Sequence, residues 1–341
     1  MTTYESNLEL NDREFAEKRE RLESFPVKLG VVLTTRCNLR CIMCARHPSE
    51  LTLDDRAAAK LKTLFPYLSD LNWQGGEPFL APAFKGLLEE AAAYPRLRQH
   101  IVTNGTLIDK AWAQTIVAAR ARLIISIDAA TPATYEKIRR PGKFETLLRA
   151  VDFLNEEDAR RGTHTPKEIN VAVMRSNHGE LFQFVEFARL RRFDILNFHP
   201  VLFQEAPGEN IFEPGDAEAL ARLRADLPGV LKAAAEAGLY TNCTLPAAPG
   251  PRTPGEQSAA RPALACAHPW RQLFVDVSRS ANVYPECFCQ VPFGNLVTDT
   301  IDGIWNSQAA REYRRRLAAG EAKGFCSPEC TRGCFNSSRL E

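Results

Sequence analysis

The chain has 341 residues, 45% of them hydrophobic, with 43 Lys and Arg against 42 Asp and Glu and a formal net charge of +1. That is enough apolar material for one large domain plus a small one, and the balanced charge gives no electrostatic reason to expect nucleic acid or an acidic membrane as partner. No apolar stretch approaches the roughly 18 residues of a membrane span, and the charged N-terminus lacks a signal segment, so a cytoplasmic protein is expected.

In chain order, Glu5 to Phe25 carries mixed charge with sparse apolar residues and predicts a surface helix. Val27 to Leu33 is a β-branched run that predicts a first buried strand, feeding directly into Cys37-Asn38-Leu39-Arg40-Cys41-Ile42-Met43-Cys44. Helices and strands then alternate. Helices are predicted over Asp54 to Leu64, Pro82 to Ala93, Asp109 to Ala119, Phe144 to Glu156 and His178 to Leu190. Strands are predicted over Leu71 to Trp73, His100 to Thr103, Leu123 to Ile127, Ile169 to Val173 and Ile195 to Phe198. Such alternation means an α/β fold with parallel strands and right-handed crossovers. Six units fit a partial (β/α)6 TIM-like barrel, with a doubly wound open sheet as the alternative; in either, the chemistry belongs at the C-terminal ends of the strands. A long helix from Asp216 to Ala237 follows, then a Pro-, Gly-, Ala- and Ser-rich stretch from Pro246 to Pro262 that marks a linker. The division expected is 1–26 as an N-terminal helical extension, 27–240 as the barrel, and 241–341 as linker and a small cysteine-rich module.

Ten cysteines fall in two clusters, Cys37 to Cys44 and Cys266 to Cys334, with Cys243 between. In a reducing compartment such clusters read as metal ligands. Three thiolates are one short of a closed zinc site. On a 4Fe-4S cluster they leave one iron open to bind something else. A zinc knuckle borrowing a fourth ligand is the alternative. The second motif is Gln74-Gly75-Gly76-Glu77-Pro78, at the end of the second predicted strand. Its paired glycines permit close backbone approach, and Glu77 can accept a charge-assisted hydrogen bond from an ammonium group.

The C-x3-C-x2-C spacing followed by Gly-Gly-Glu-Pro resembles the radical S-adenosylmethionine (SAM) enzymes. The resemblance implies a 4Fe-4S cluster on Cys37, Cys41 and Cys44, with Gly75, Gly76, Glu77 and Pro78 near the amino group of SAM. Asn104 in the turn after the third strand would face the cofactor, Ser126 and Asp128 at the end of the fourth would bond its ribose hydroxyls or methionyl group, and Asn177 beyond the fifth would face cofactor or substrate. In Tyr135-Glu136-Lys137-Ile138-Arg139-Arg140-Pro141-Gly142, Arg140 is the residue chosen to pair with the cofactor carboxylate. His199, at the end of the sixth strand, is a candidate catalytic residue.

The C-terminal cysteines resemble the SPASM and twitch auxiliary-cluster domains. Cys266, Asn282 and Cys287 follow the opening of that motif, with Asn282 where the family has glycine. Asparagine is the residue other than glycine best suited to a left-handed turn. The shortened closing run fits a twitch domain with one auxiliary 4Fe-4S cluster, held by Cys266, Cys287, Cys326 and Cys330, with Cys334 or Cys289 as substitutes. Zinc is the alternative for four thiolates.

The chemistry so implied is reductive cleavage of SAM to a 5'-deoxyadenosyl radical, which abstracts hydrogen from an unactivated C–H bond. An electron donor such as flavodoxin or ferredoxin is the expected partner. With an auxiliary cluster to accept an electron, dehydrogenation of a carbinol is the first expectation. Epimerisation with Cys243, Cys289 or Cys334 as hydrogen donor, decarboxylation, carbon–carbon bond formation and peptide modification are alternatives. Only about 25 residues precede the first strand, too few for a leader-binding domain. A free small molecule of specialised metabolism, such as antibiotic biosynthesis, is therefore favoured as substrate: a sugar, aminocyclitol or nucleoside. The non-enzymatic alternative is a redox or zinc scaffold.

Overall fold

The computed structural model describes residues 3–201, 206, 208–212, 215–245, 266–321 and 324–325. The fold is α/β with a mostly parallel sheet. The strands are β1 Lys28–Val32, β2 Arg40–Cys41, β3 Asp70–Gln74, β4 Arg98–Thr103, β5 Arg122–Ser126, β6 Arg139–Arg140, β7 Lys167–Val173, β8 Ile195–Pro200, β9 Tyr240–Cys243, β10 Gln272–Asp276, β11 Asn282–Tyr284 and β12 Gly294–Asn295. The helices are α1 Thr3–Ala16, α2 Asp55–Lys62, α3 Phe84–Ala91, α4 Lys110–Ala118, α5 Pro132–Ile138, α6 Phe144–Arg161, α7 Leu181–Leu190, α8 Ala217–Glu236, α9 His268–Arg271, α10 Ile301–Trp305 and α11 Gln308–Ala318. All six predicted strands form. Helices α2, α4 and α8 begin where expected because Asp54, Asp109 and Asp216 cap them, each side chain accepting from a backbone N–H three residues on.

The chain forms two compact units. The first comprises residues 1–36, 49–99 and 256–341. Its strands run in the order β12-β11-β10-β1-β3. β10 pairs in parallel with β1 from Lys28 opposite Gln272 to Val32 opposite Asp276. The C-terminal segment thus contributes a fully buried strand to the sheet of β1, although the sequence pattern assigns that stretch to a separate module. Helix α1 stops at Ala16 and does not run on to Phe25. Lys18 adopts φ 55°, and the buried Glu14 carboxylate accepts from the Glu23 and Ser24 N–H groups at 2.6 and 3.2 Å, folding the segment back. Three backbone carbonyls from separate segments of this unit come together on Arg314 of α11. Its guanidinium is fully buried and donates to Pro269 O, Glu20 O and Trp305 O at 2.7–2.8 Å.

The second unit comprises residues 37–48 and 100–255, with parallel strands in the order β4-β5-β7-β8-β9. β9 was also missed from sequence; at four residues of alternating exposure it lacks the buried run of its neighbours. Along β7 one face is fully buried, through Ile169, Val171 and Val173. The other, through Glu168, Asn170 and Ala172, is half-buried and largely polar.

Candidate functional site

The cysteine loop is held by pairing rather than by a core of its own. β2 lies antiparallel to β6, with Cys41 opposite Arg139 and Arg40 opposite Arg140, and Ile42 N–H donates to Ile138 O at 3.0 Å. Met43 then packs with Ile138, Met174 and Val201 in a buried cluster. This leaves the flanking thiols at the loop's surface: Cys37 is half-buried and Cys44 exposed.

Two of the three thiols face N–H donors. Asn104 Nδ2 lies 3.8 Å from Cys37 Sγ and 2.9 Å from Asn38 Oδ1, and its Oδ1 accepts from Thr106 N–H and Oγ1 at 2.9 and 2.6 Å. Arg139 Nη1 lies 3.8 Å from Cys41 Sγ, and its Nη2 pairs with Asp128 Oδ2 at 2.5 Å. Both members of that ion pair are buried. Burial pushes the Cys41 thiol up to about 11, against the opposing pull of Arg139. The donor set is therefore three thiols on one loop, with donors aimed at two sulfurs, and that fits a thiolate-held iron–sulfur cluster. Among the described residues no three His, Cys, Asp or Glu side chains gather around a single-ion position. Cluster ligands each bind a different iron, so their sulfurs need not converge on one point.

The Gly-Gly-Glu-Pro stretch, in the first unit, packs on the residues that lead into the cysteine loop. Gly76 N–H donates to Thr34 O at 2.7 Å and Glu77 N–H to Arg36 O at 2.8 Å. A Cβ on Gly75 would stand 2.6 Å from Thr34 O, and one on Gly76 the same distance from Thr35 O. The glycines are thus required by the protein's own backbone. Glu77 is fully buried, and Pro78 opens the short 3-10 turn that follows.

At the strand ends, the side chains read from sequence as cofactor contacts divide into two groups. Asp128 Oδ1 accepts from Ala172 N–H at 2.8 Å while its other oxygen meets Arg139. Asn177 donates to Asp128 O and Ala172 O at 2.9 Å and accepts from Met174 N–H at 2.8 Å. Both are therefore braces of the strand ends, their polar atoms occupied within the protein. Ser126 and His199 lie on the half-exposed face. His199 Nδ1 is 2.9 Å from Thr244 Oγ1, and burial lowers its pKa. Arg140 is exposed, its Nε donating to Lys137 O at 3.0 Å. Arg139 is the arginine that reaches the cysteine loop, and sequence reading missed it. No local signal separates two adjacent arginines; only the β2–β6 register does.

Cys243 lies opposite Phe198 in the β8–β9 register and so shares its side of the sheet, where Phe198 packs edge-on against Phe184 of α7. That is the side away from His199. Burial raises its thiol pKa. In the C-terminal segment, Cys289 is buried, its carbonyl accepting from Arg279 at 3.3 Å. Asn282 is extended in β11, its Oδ1 accepting from Asn295 Nδ2 at 2.9 Å; the left-handed residues are Ser280 and Ala281 just before it. The turn has moved back along the chain, so Asn282 is a cross-strand partner. Cys266 and Cys287 are described. Cys326, Cys330 and Cys334 lie outside the described residues, so the second ligand set is not described as a set.

The chain matches the radical SAM superfamily over residues 31–187 and the SPASM iron-sulfur cluster-binding domain over residues 266–334. It belongs to the radical SAM superfamily. Within it, the chain carries a SPASM-type C-terminal domain, and its cofactors are SAM, a 4Fe-4S cluster and an auxiliary cluster. Among curated proteins it is 30% identical over 176 residues to GTP 3',8-cyclase 1 of Pseudomonas aeruginosa, covering 49% of this chain and 52% of that one. It is 31% identical over 184 residues to GTP 3',8-cyclase of Geobacter sulfurreducens, covering 50% and 54%. The chain thus spans about half the length of the curated relatives it matches. Streptococcus suis SuiB bound to S-adenosylmethionine is similar in structure, with a TM-score of 0.64 at 15% identity over 89% of this chain and 72% of that one. Native anSMEcpe with bound AdoMet scores 0.61 at 17% identity over 93% and 92%. These two likenesses bear on the fold, which is the partial barrel. Among the described residues, no helix is long and apolar enough to cross a membrane.

Proposed function

We propose that this radical SAM enzyme is an oxidoreductase that dehydrogenates a carbinol of a small molecule, a sugar or aminocyclitol. When bound, the cofactors supply hydrogen-atom abstraction from an unactivated C–H bond and an acceptor for one electron. Cys37, Cys41 and Cys44 hold the catalytic cluster, and Asn104 and Arg139 orient the first two thiolates. Gly75, Gly76, Glu77 and Pro78 serve the SAM amino group, and Arg139 replaces Arg140 as the arginine nearest the cluster loop. The described cysteines of the C-terminal domain, Cys266 and Cys287, hold the auxiliary cluster together with cysteines from 326–334.

Oxidation of a carbinol releases a hydrogen atom, an electron and a proton, and the proton is the share that falls to a side chain. His199 is the observation that carries this reading. Thr244 Oγ1 donates its own proton to Phe198 O and so takes Nδ1–H of His199 as its donor; in that tautomer Nε2 holds the lone pair that accepts the hydroxyl proton, and burial lowers the ring's pKa, which favours the neutral form. A flavodoxin- or ferredoxin-type donor in the cytoplasm provides the reducing electron.

A second reading, GTP cyclisation, is favoured by the curated relatives. The deciding experiment uses anaerobically reconstituted protein with dithionite and SAM. Wild type is expected to hold about eight irons and to form 5'-deoxyadenosine, and a C37A/C41A/C44A variant to hold about four and form none. A polyol product lighter by two hydrogens supports the dehydrogenase. A cyclised GTP product, or a polyol product of unchanged mass, overturns it.

A further inference from the structure

The ladder that holds the cysteine loop sets two arginines directly across from each other. β2 and β6 pair antiparallel, with Arg40 opposite Arg140 and Cys41 opposite Arg139. Directly opposed residues share a face and neighbours along a strand take opposite faces, so this ribbon has two unlike sides. One carries the Cys41 thiol, with Arg139 Nη1 3.8 Å from it. The other carries Arg40 and Arg140, both exposed. Arg46, also exposed, adds a third guanidinium, its Nη2 3.5 Å from the carbonyl oxygen of Cys37.

The neighbouring cations set these three apart. Lys137 is paired with Glu209 at 3.7 Å and Lys143 with Glu136 at 2.6 Å, while Arg139 and Arg175 are paired with Asp128 and Asp216. Among the described residues, Arg40, Arg46 and Arg140 have no carboxylate within ion-pair distance; Arg140 and Arg46 reach backbone carbonyls only. Like charges facing each other across a ladder, with Cβ atoms about 4.5–5.5 Å apart, destabilise it, and a ladder of two residues has little to offset that. The chain as a whole carries a formal net charge of only +1, so an acidic partner would be drawn by this local excess and not by the whole molecule. Its position says which partner. Arg40 is the chain neighbour of Cys41, their Cα atoms about 3.8 Å apart, and Arg46 lies against Cys37. Small ligands are held in concave, largely buried sites. Exposed guanidiniums on a ribbon suit the rim of a protein–protein contact, where charge steers the encounter.

We propose that Arg40, Arg46 and Arg140 form the docking surface for an acidic electron donor of flavodoxin type, whose carboxylates seat on the exposed face of the β2–β6 ribbon. The exchange is of one electron: the donor's reduced flavin is oxidised and the cluster on Cys37, Cys41 and Cys44 is reduced, with no bond formed or broken. This goes beyond the dehydrogenase reading and holds whichever substrate the enzyme takes.

The test uses full-length, anaerobically reconstituted protein with a bacterial flavodoxin as probe. Calorimetric titration is expected to give binding at low salt that weakens at least about tenfold in about 1 M salt, where screening acts over about 3 Å. Arg40→Glu is expected to bind flavodoxin at least about tenfold more weakly at low salt and to lose most of the salt dependence. The same variant should melt no lower than wild type, because it turns a like-charge pair into an opposite-charge one. The neutral double variant Arg40→Gln/Arg140→Gln, which introduces no new charge, should show the same weakened binding. With dithionite, which needs no docking, both variants should keep wild-type iron content and form 5'-deoxyadenosine from SAM at the wild-type rate. With flavodoxin, its reductase and NADPH, that rate should fall about tenfold. Flavodoxin binding that is absent in the wild type, insensitive to salt or unchanged in both variants overturns the proposal. So does an equal loss of dithionite-driven and flavodoxin-driven 5'-deoxyadenosine, which would assign the arginines to the cofactor instead. No polyol enters any of these readouts, so the dehydrogenase reading stands or falls separately.

Discussion

Arg139 and Arg140 are adjacent, alike in chemistry and opposite in environment. The first is buried against Asp128 and Cys41, and the second is exposed on a backbone carbonyl. Removing one partner of a buried ion pair leaves the other charge uncompensated, which costs about 3–5 kcal/mol. Arg139→Met is therefore expected to lower the unfolding free energy obtained from urea titration by that amount and to reduce the iron retained on reconstitution. Arg140→Met is expected to stay within about 0.5 kcal/mol of wild type with full iron. Equal effects from the two would remove Arg139 from the site.

His199 carries a prediction in pH. Its folded pKa is depressed by burial, so between that value and the unfolded one near about 6.5 the unfolded chain binds more protons. Its contribution to stability is then present above that window and lost as pH falls through it. The kcat/KM profile should follow the same limb, level at neutral pH and falling in acid as the ring protonates. In His199→Gln the limb should vanish together with most of the activity. An unchanged acid limb in that variant would remove His199 as the proton acceptor.

At the scale of elements, the turn after β3 and helix α11 show where packing leaves no latitude. A methyl group on Gly76 meets the Thr35 carbonyl at 2.6 Å, and the obstructing atom is backbone, which cannot swing aside. Gly76→Ala should cost about 1–3 kcal/mol in chemical denaturation, as overpacking does, with reduced cluster content because the displaced segment leads into Cys37. Arg314 binds carbonyls from three separate segments through one rigid fork. Lysine offers a point charge without the fork. Arg314→Lys should therefore lower the melting temperature by several degrees, about 1–3 kcal/mol for carbonyls left without donors. A melt indistinguishable from wild type would show the staple to be dispensable.

For the whole molecule, the consequential pairing is β10 beside β1. It places a strand from the C-terminal segment next to the one that leads into the cysteine loop, over five register pairs. The sheet of the first unit thus depends on residues far along the chain. Truncation after residue 265 exposes the edge of β1, an unpaired apolar strand prone to associate with other chains. The truncated protein should elute as aggregate in size-exclusion chromatography and lose its cooperative melt. A monomer with a wild-type melt would mean that the barrel strands do not need β10.

Taken alone, the sequence determined whatever is encoded by neighbours in the chain. The alternation of six strands with capped helices, the three cysteines within eight residues and the paired glycines at a strand end are all local patterns. Periodicity, capping residues and ligand spacing make such patterns readable without a partner. What the sequence left open involves partners distant in the chain. β10 became a sheet strand only by meeting β1, and Arg139 was distinguished from Arg140 only by facing Cys41 across the β2–β6 ladder. Asp128 and Asn177 became braces only when their hydrogen bonds were occupied within the protein. The like-charged pair of Arg40 and Arg140 exists only in the register of β2 and β6. Register and side-chain pairing join residues from tens to hundreds of positions apart, and only the folded chain brings them within hydrogen-bonding distance.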